Sequence, residues 1–165
     1  MIALLASLCA TAQAYDPEFG HDRPTVDYQF HHGFRMGYSY AHTDVLPSPH
    51  LFVMGYELQQ HMKGGSWLDV ILVQNFLASG INQSIFIPSA NFLVGFEIDD
   101  QLQFGVGPNF QPFVPEGEFV HMVGAIGYSM RAGAFDVPIH LSVIPDVDGE
   151  YRVALTTGVN WMRQR

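Results

Sequence analysis

The sequence is poor in charge, and above all in lysine. Only 14% of its 165 residues are charged, whereas a soluble globular domain carries about 25%. Lys63 is the single lysine, although soluble surfaces usually depend on this residue. A water-exposed surface is difficult to build from so few charges, so the composition argues against an ordinary soluble domain.

Positive charge is the scarcer sign. Seven Lys and Arg stand against sixteen Asp and Glu, which gives a net charge of −9. Nucleic-acid-binding proteins neutralise phosphates with clustered Lys and Arg, and the sequence contains no such cluster. We therefore expect no nucleic-acid partner.

Long apolar runs are missing as well. After the first fourteen residues there is no stretch of the eighteen or so apolar residues that a transmembrane helix needs, so a membrane-spanning chain of this kind has to use closed strands. Residues 1–14, MIALLASLCATAQA, end in the small-residue pattern Ala12-Gln13-Ala14. This pattern predicts a signal peptide whose removal also removes Cys9, the only cysteine.

Alternation with a period of two is the strongest pattern that is present. In the run LQFGVGPNFQP (102–112), Phe104, Val106 and Phe110 share one side, and glycines and amides such as Gln103 fill the other. A period of two is typical of a β-strand. Glycines and amides in place of Lys and Glu favour a narrow polar interior over a watery surface.

Comparable runs follow one another along the chain, separated by Gly, Pro, Asn and Asp. They predict strands at 28–42, 50–61, 67–78, 83–98, 102–113, 119–131, 135–144 and 150–162. Residues 15–27 are predicted to be an extended N-terminal segment, and 28–165 the barrel domain. The expected fold is all-β, an eight-stranded antiparallel up-and-down (meander) β-barrel that crosses a membrane. The run 67–78 is apolar on both faces, so its phase stays open.

The two faces predict where individual side chains lie. Charges of both signs on the polar face are expected to pair as a lumen network that plugs the barrel, because an isolated buried charge is costly: Arg35, Glu57, Glu97, Arg131, Asp136 and Arg152. The apolar face predicts lipid-facing residues, among them Phe92, Val94, Phe96, Phe104, Val106 and Phe110. Aromatic girdles are expected at both rims, with Tyr38, Tyr40, Tyr128, Tyr151 and Trp161.

With these features the chain resembles the small eight-stranded outer-membrane barrels of the OmpA/OmpX type. Its last strand, TTGVNWMRQR, is similar to the C-terminal signal of such barrels through Thr156, Gly158 and Trp161. The resemblance implies a Gram-negative outer membrane, with membrane lipid, lipopolysaccharide and the outer-membrane assembly machinery as partners. The resemblance does not by itself imply a role, since fold and function separate readily. Our own interpretation is a monomer with a plugged lumen and a structural, membrane-stabilising or surface role, without enzymatic activity.

Two other interpretations remain open. A secreted or periplasmic lipocalin-like barrel would use the apolar face as a pocket for a small apolar ligand. A lipid A deacylase-like hydrolase would use His140 as the base for a Ser142 nucleophile, since both lie on one face of a predicted strand.

The sequence predicts no cofactor and no metal. None of the spacings among the eight histidines matches a zinc site. The run PDVDGEY, with Asp146, Asp148 and Glu150, is better explained as an Asp-Gly hairpin turn than as a calcium loop.

Overall fold

A computed structural model of the full chain describes residues 26–43, 46–64, 67–112, 119–145 and 149–162. The predicted signal peptide and nearly all of the 15–27 segment lie outside these ranges. So do Asp146 and Asp148.

Eight strands form one closed barrel, which confirms the predicted fold. They are β1 (Asp27–His42), β2 (His50–Lys63), β3 (Leu68–Ser79), β4 (Ile87–Ile98), β5 (Leu102–Phe110), β6 (Val120–Ala132), β7 (Phe135–Pro145) and β8 (Tyr151–Met162). Each strand pairs antiparallel with the next, and β8 closes the sheet against β1. We call the end where β1 begins and β8 ends the proximal end, and the other the distal end. Among the described residues, no helix is long and apolar enough to cross a membrane.

The barrel is polar inside and apolar outside. On β5, Gln103 and Asn109 point inward and are 4% and 1% exposed, whereas Phe104 and Val106 point outward and are 39% and 56% exposed. The same alternation of buried and exposed positions follows β1, β2, β4 and β6. The side-chain period of two therefore separates two environments along most of the sheet.

Strand β3 has a defined phase although its sequence left it open. Asp69, Ile71 and Val73 are buried in the lumen, whereas Phe76 lies on the exposed outer face. Register with β4 fixes this phase, because Asp69 pairs with Glu97 and Val73 with Leu93. The inward residues Ile71 and Val73 are apolar like their outward neighbours, which is why alternation failed as a signal there.

The predicted fourth strand started too early, at residue 83. A 3-10 helix over Ile81–Gln83 precedes β4, flanked by Gly80 and Ser84 in the left-handed backbone region. Asn82 holds this turn against β2, since its Oδ1 accepts from the Phe52 amide at 2.9 Å and its Nδ2 donates to the His50 carbonyl at 3.1 Å. These bonds satisfy backbone groups of β2 beyond the end of its pairing with β3.

A tight hairpin joins β4 to β5 at the proximal end. Asp99 and Asp100 have φ angles of 51° and 58°, a region that Asp tolerates better than most residues. The Gln101 amide donates to the Ile98 carbonyl at 3.0 Å and closes the turn. The turn predicted at Asp99-Asp100 is therefore present, and it presents both carboxylates at the barrel mouth.

Replacing Asn82 with Ala is expected to lower the free energy of unfolding by about 1–2 kcal/mol, because two hydrogen bonds to β2 are lost. Asn82→Asp keeps the acceptor for the Phe52 amide and should lose less. Urea unfolding monitored by tryptophan fluorescence measures both variants. Equal stability of Asn82→Ala and the parent would contradict this role for the turn.

Candidate functional site

The centre of the lumen is a fully buried ion pair. Arg35 on β1 and Glu57 on β2 are 3% and 0% exposed. Arg35 Nε donates to Glu57 Oε2 at 3.0 Å, and Arg35 Nη2 donates to Glu57 Oε1. This two-point contact suits the planar guanidinium, and it balances one buried positive charge with one negative charge.

Further polar side chains link β2, β4, β5 and β7 into a closed chain of contacts. We call it the polar ring, and it consists of Glu57, Gln59, His61, Glu97, Gln103 and His140. Gln59 Nε2 donates to Glu57 Oε1 at 2.6 Å, and Gln59 Oε1 lies 3.1 Å from His61 Nε2. His61 Nδ1 lies 2.8 Å from Glu97 Oε2. Gln59 Oε1 and Glu97 Oε2 both accept, so both links to His61 are hydrogen bonds only when its imidazole carries two protons, whereas a neutral His61 can donate to one of them.

The other half of the ring passes through Gln103 and His140. Gln103 Nε2 donates to Glu97 Oε1 at 2.7 Å, so its Oε1 is free to accept from His140 Nε2 at 2.9 Å. His140 Nδ1 lies 3.6 Å from Glu57 Oε2, which closes the ring. Gly127 faces His140 across the pairing of β6 with β7, and a Cβ at this glycine would lie 2.1 Å from the imidazole Cδ2. A glycine is therefore needed there to admit the ring of His140.

The six charged residues predicted to form one network occupy three separate places. Arg35, Glu57 and Glu97 belong to the central system just described. Asp136 lies nearer the proximal end, 3.2 Å from His31 Nδ1 and 4.0 Å from Arg131 Nε, and the Arg131 side chain is 70% exposed on the rim. Arg152 lies toward the distal end, where its Nη2 donates to Gln111 Oε1 at 3.0 Å.

An apolar cluster in the lumen was not predicted from the sequence. Its members are Ile71, Val73, Leu93, Val123 and Ile144, all buried. Apolar residues on the inward phase of β3, with Leu93 opposite Val73, were the available signal. The cluster was not predicted because the interior was expected to be polar throughout.

Three cavities show how these groups divide the lumen. A proximal basin of about 250 Å³ is lined by polar residues that include His31, His61 and Glu97. A central cavity of about 40 Å³ lies between the polar ring and the apolar cluster. A distal cavity of about 30 Å³ adjoins Ile144 and Arg152. The polar ring borders both the basin and the central cavity, so it separates them.

His140 and Ser142 both line the central cavity. The two ring nitrogens of His140 face Gln103 and Glu57. This environment orients the imidazole as a member of the polar ring. Both ring nitrogens of His140 therefore face side chains of the lumen.

The outer wall carries the predicted lipid-facing residues. Phe92, Val94, Phe96, Phe104 and Val106 are exposed, and Phe110 is half-buried. Phe92 packs edge-to-face on Phe110 with ring centroids 5.7 Å apart. A continuous apolar and aromatic surface thus covers neighbouring strands β4 and β5.

Aromatic side chains also gather at the two rims. Tyr128 and Trp161 lie toward the proximal end, and Trp161 packs edge-to-face with His32 at 4.9 Å. Tyr38, Tyr40 and Tyr151 lie toward the distal end, where Tyr40 and Tyr151 are 6.3 Å apart and His42 stacks on Tyr151 at 5.1 Å. Each rim therefore combines aromatic rings with histidine.

One group of acidic residues has a geometry compatible with a metal ion. One carboxylate oxygen from each of Asp69, Glu97 and Asp100 lies within 4.8 Å of the other two. Register and the β4–β5 hairpin bring them together at the proximal end. No sequence motif marks this group, because Asp69 is far along the chain from Glu97 and Asp100.

No family model matches the sequence, and no curated protein matches it. Among solved structures, the chain is similar to the outer membrane protein Ail of Yersinia pestis, determined in a phospholipid bilayer nanodisc. The TM-score is 0.47 with 10% sequence identity, over 83% of this chain and 100% of that chain.

Replacing Glu57 with Met is expected to lower the free energy of unfolding by about 3–5 kcal/mol, because it leaves the Arg35 guanidinium buried without its counter-charge. The double variant Arg35→Met/Glu57→Met removes both charges and should be more stable than the single variant. Urea unfolding of the parent and both variants tests this order. A double variant no more stable than Glu57→Met would show that the pair itself is not the cause.

Proposed function

We propose that this protein is an integral barrel of the bacterial outer membrane, monomeric and non-enzymatic, with a lumen closed by its own side chains. Its role is structural: it stabilises the membrane or presents a compact surface on it. The observation that carries this proposal is the polarity of the wall, which is apolar outside and polar inside. A soluble monomer rarely exposes apolar patches beyond a few hundred Å², whereas a lipid-facing wall requires them.

The contents of the lumen support a closed barrel. The Arg35–Glu57 pair and the polar ring lie between the basin and the central cavity, and the apolar cluster adjoins that cavity on its other side. An eight-stranded barrel is just wide enough for side chains to fill. Ions that enter the proximal basin therefore meet paired charges and then packed apolar groups.

The proposed partners follow from the outer surface. Phospholipid and lipopolysaccharide acyl chains surround the apolar band, and the aromatic side chains at both rims suit the interfaces between acyl chains and headgroups. Thr156, Gly158 and Trp161 all lie on β8, the strand through which we propose that the assembly machinery recognises the protein.

The other two interpretations have less support. A hydrolase acting on lipid needs His140 and Ser142 to meet a substrate, yet both face the lumen and the central cavity holds only about 40 Å³. A lipocalin-like binder needs a pocket of roughly 300–1,000 Å³. The apolar cluster instead packs against its own members.

Substituting Arg for Val106 on the outer wall tests the membrane assignment. In a lipid-facing position near mid-height, Arg is expected to lower the free energy of unfolding by about 2–4 kcal/mol. On the water-exposed surface of a soluble barrel it would change stability by less than about 0.5 kcal/mol. Urea unfolding from phospholipid vesicles, followed by tryptophan fluorescence, measures the difference.

Val26→Arg is the matched control, because Val26 is 47% exposed and precedes β1. It should have little effect on stability. Equal, small effects of Val106→Arg and Val26→Arg, or a protein that stays folded and monomeric without detergent, would contradict the membrane proposal.

Planar-bilayer recording tests the closed lumen. The parent protein should show only the background conductance of the membrane. The variant Arg35→Ala/Glu57→Ala/Val73→Ala/Leu93→Ala shortens side chains in both the central pair and the apolar cluster, and it should produce discrete conductance steps. Gln60→Ala, on the outward phase of β2, should behave like the parent. Steps of equal size in the parent and this variant would show that the central pair and the apolar cluster do not close the lumen.

A further inference from the structure

Three carboxylates converge at the mouth of the proximal basin. Asp69 begins the inward phase of β3, Glu97 is its register partner on β4, and Asp100 lies in the β4–β5 hairpin. One oxygen from each lies within 4.8 Å of the other two. Such spacing matches oxygen atoms that share a single cation.

The charges around these carboxylates do not balance. Lys63 contacts Asp100, and its Nζ lies 3.8 Å from Asp69 Oδ2. His61 Nδ1 lies 2.8 Å from Glu97 Oε2. Even with His61 protonated, three negative charges face two positive charges. Because Asp69 and Glu97 are only 5% and 3% exposed, the remaining negative charge is partly shielded from water and therefore costly.

A second observation, independent of this spacing, points to a ligand at Asp69. Its Oδ1 is buried and accepts no hydrogen bond from any described residue. Both oxygens of Glu97 accept from side chains, Gln103 on one and His61 on the other. A buried carboxylate oxygen needs a hydrogen-bond donor or a cation. Of the carboxylate oxygens of Asp69 and Glu97, Asp69 Oδ1 is the buried one that receives no donor from a described residue.

The basin gives a hydrated ion access to Glu97 and Asp100, which line it, and Asp69 is the register partner of Glu97. The basin measures about 250 Å³ and is lined by Lys63, Glu97, Asp99 and Asp100 among other polar residues. A water needs only about 10–15 Å³ of such volume, so several water ligands fit beside the carboxylates. Oxygen ligands and retained water are typical of hard divalent cations.

We propose that Asp69, Glu97 and Asp100 form a binding site for a hard divalent cation, with Ca²⁺ preferred. Ca²⁺ accepts the irregular geometry of carboxylates from two strands and a turn, whereas Mg²⁺ demands a near-ideal octahedron. Lys63 is the internal competitor, since its ammonium occupies the space between Asp69 and Asp100. Binding of Ca²⁺ displaces this ammonium toward the basin, where the side chain is already partly exposed.

The test is thermal unfolding of the folded full chain, titrated with CaCl2 against NaCl and MgCl2 at matched ionic strength. Ca²⁺ should raise Tm in a saturable way, because a ligand that binds only the folded state stabilises it. Asp69→Asn should abolish the saturable rise. Asp99→Asn is the matched control, since Asp99 lines the same basin outside the site, and it should keep the rise.

Lys63→Met should lower the Ca²⁺ concentration at half-saturation by roughly tenfold, which corresponds to removal of one competing charge interaction of about 1.4 kcal/mol. If Asp69→Asn does not fold, Asp100→Asn replaces it, because Asn tolerates the positive φ of this exposed hairpin position. A rise in Tm that NaCl reproduces, equal losses in Asp69→Asn and Asp99→Asn, or weaker binding in Lys63→Met would each overturn the proposal. None of these outcomes bears on the membrane assignment, which the Val106→Arg variant tests separately.

Discussion

Closing eight strands on themselves leaves an interior only as wide as the side chains that point into it. Every inward residue must therefore contact another inward residue, and an inward charge must find its partner within the same small space. Arg35 and Glu57 meet this requirement most fully, since both are buried and bound at two points. The polar ring includes Glu57, and its other members also contact one another because the lumen is narrow.

This restriction also explains why the lumen is layered. The proximal basin is larger than the central and distal cavities, and the side chains that line it include the partly exposed Lys63 and Arg131. Further in, amides and histidines replace water as hydrogen-bond partners for Glu57 and Glu97. Beyond the central cavity lies the apolar cluster, and polar side chains such as Gln111 and Arg152 follow toward the distal end. Polarity therefore decreases from the basin to the apolar cluster, as the room for water decreases.

The sequence predicted the strands well because their period of two is local information. The strands and their order follow from that period together with the turn residues between them, and the small polar residues on one face indicate which side of β1, β2, β4 and β5 lies inside. The phase of β3 did not, because Ile71 and Val73 face a lumen that contains an apolar cluster, and so both faces of this strand are apolar. The start of β4 was also misplaced, since Asn82 forms its hydrogen bonds with β2, a partner thirty residues earlier in the chain.

Pairing among the charged residues could not be predicted for a related reason. The side-chain period of two assigns Arg35, Asp136 and Arg152 to the lumen. Their height along the barrel depends on the stagger between neighbouring strands, and the sequence of one strand does not specify it. That stagger separates Arg152 from the central pair and brings Asp69 beside Glu97 and Asp100. A barrel sequence therefore specifies which side chains share the interior, and register decides which of them meet. The acidic group at the proximal end depends on register, since the pairing of β3 with β4 and the β4–β5 hairpin bring its three carboxylates together.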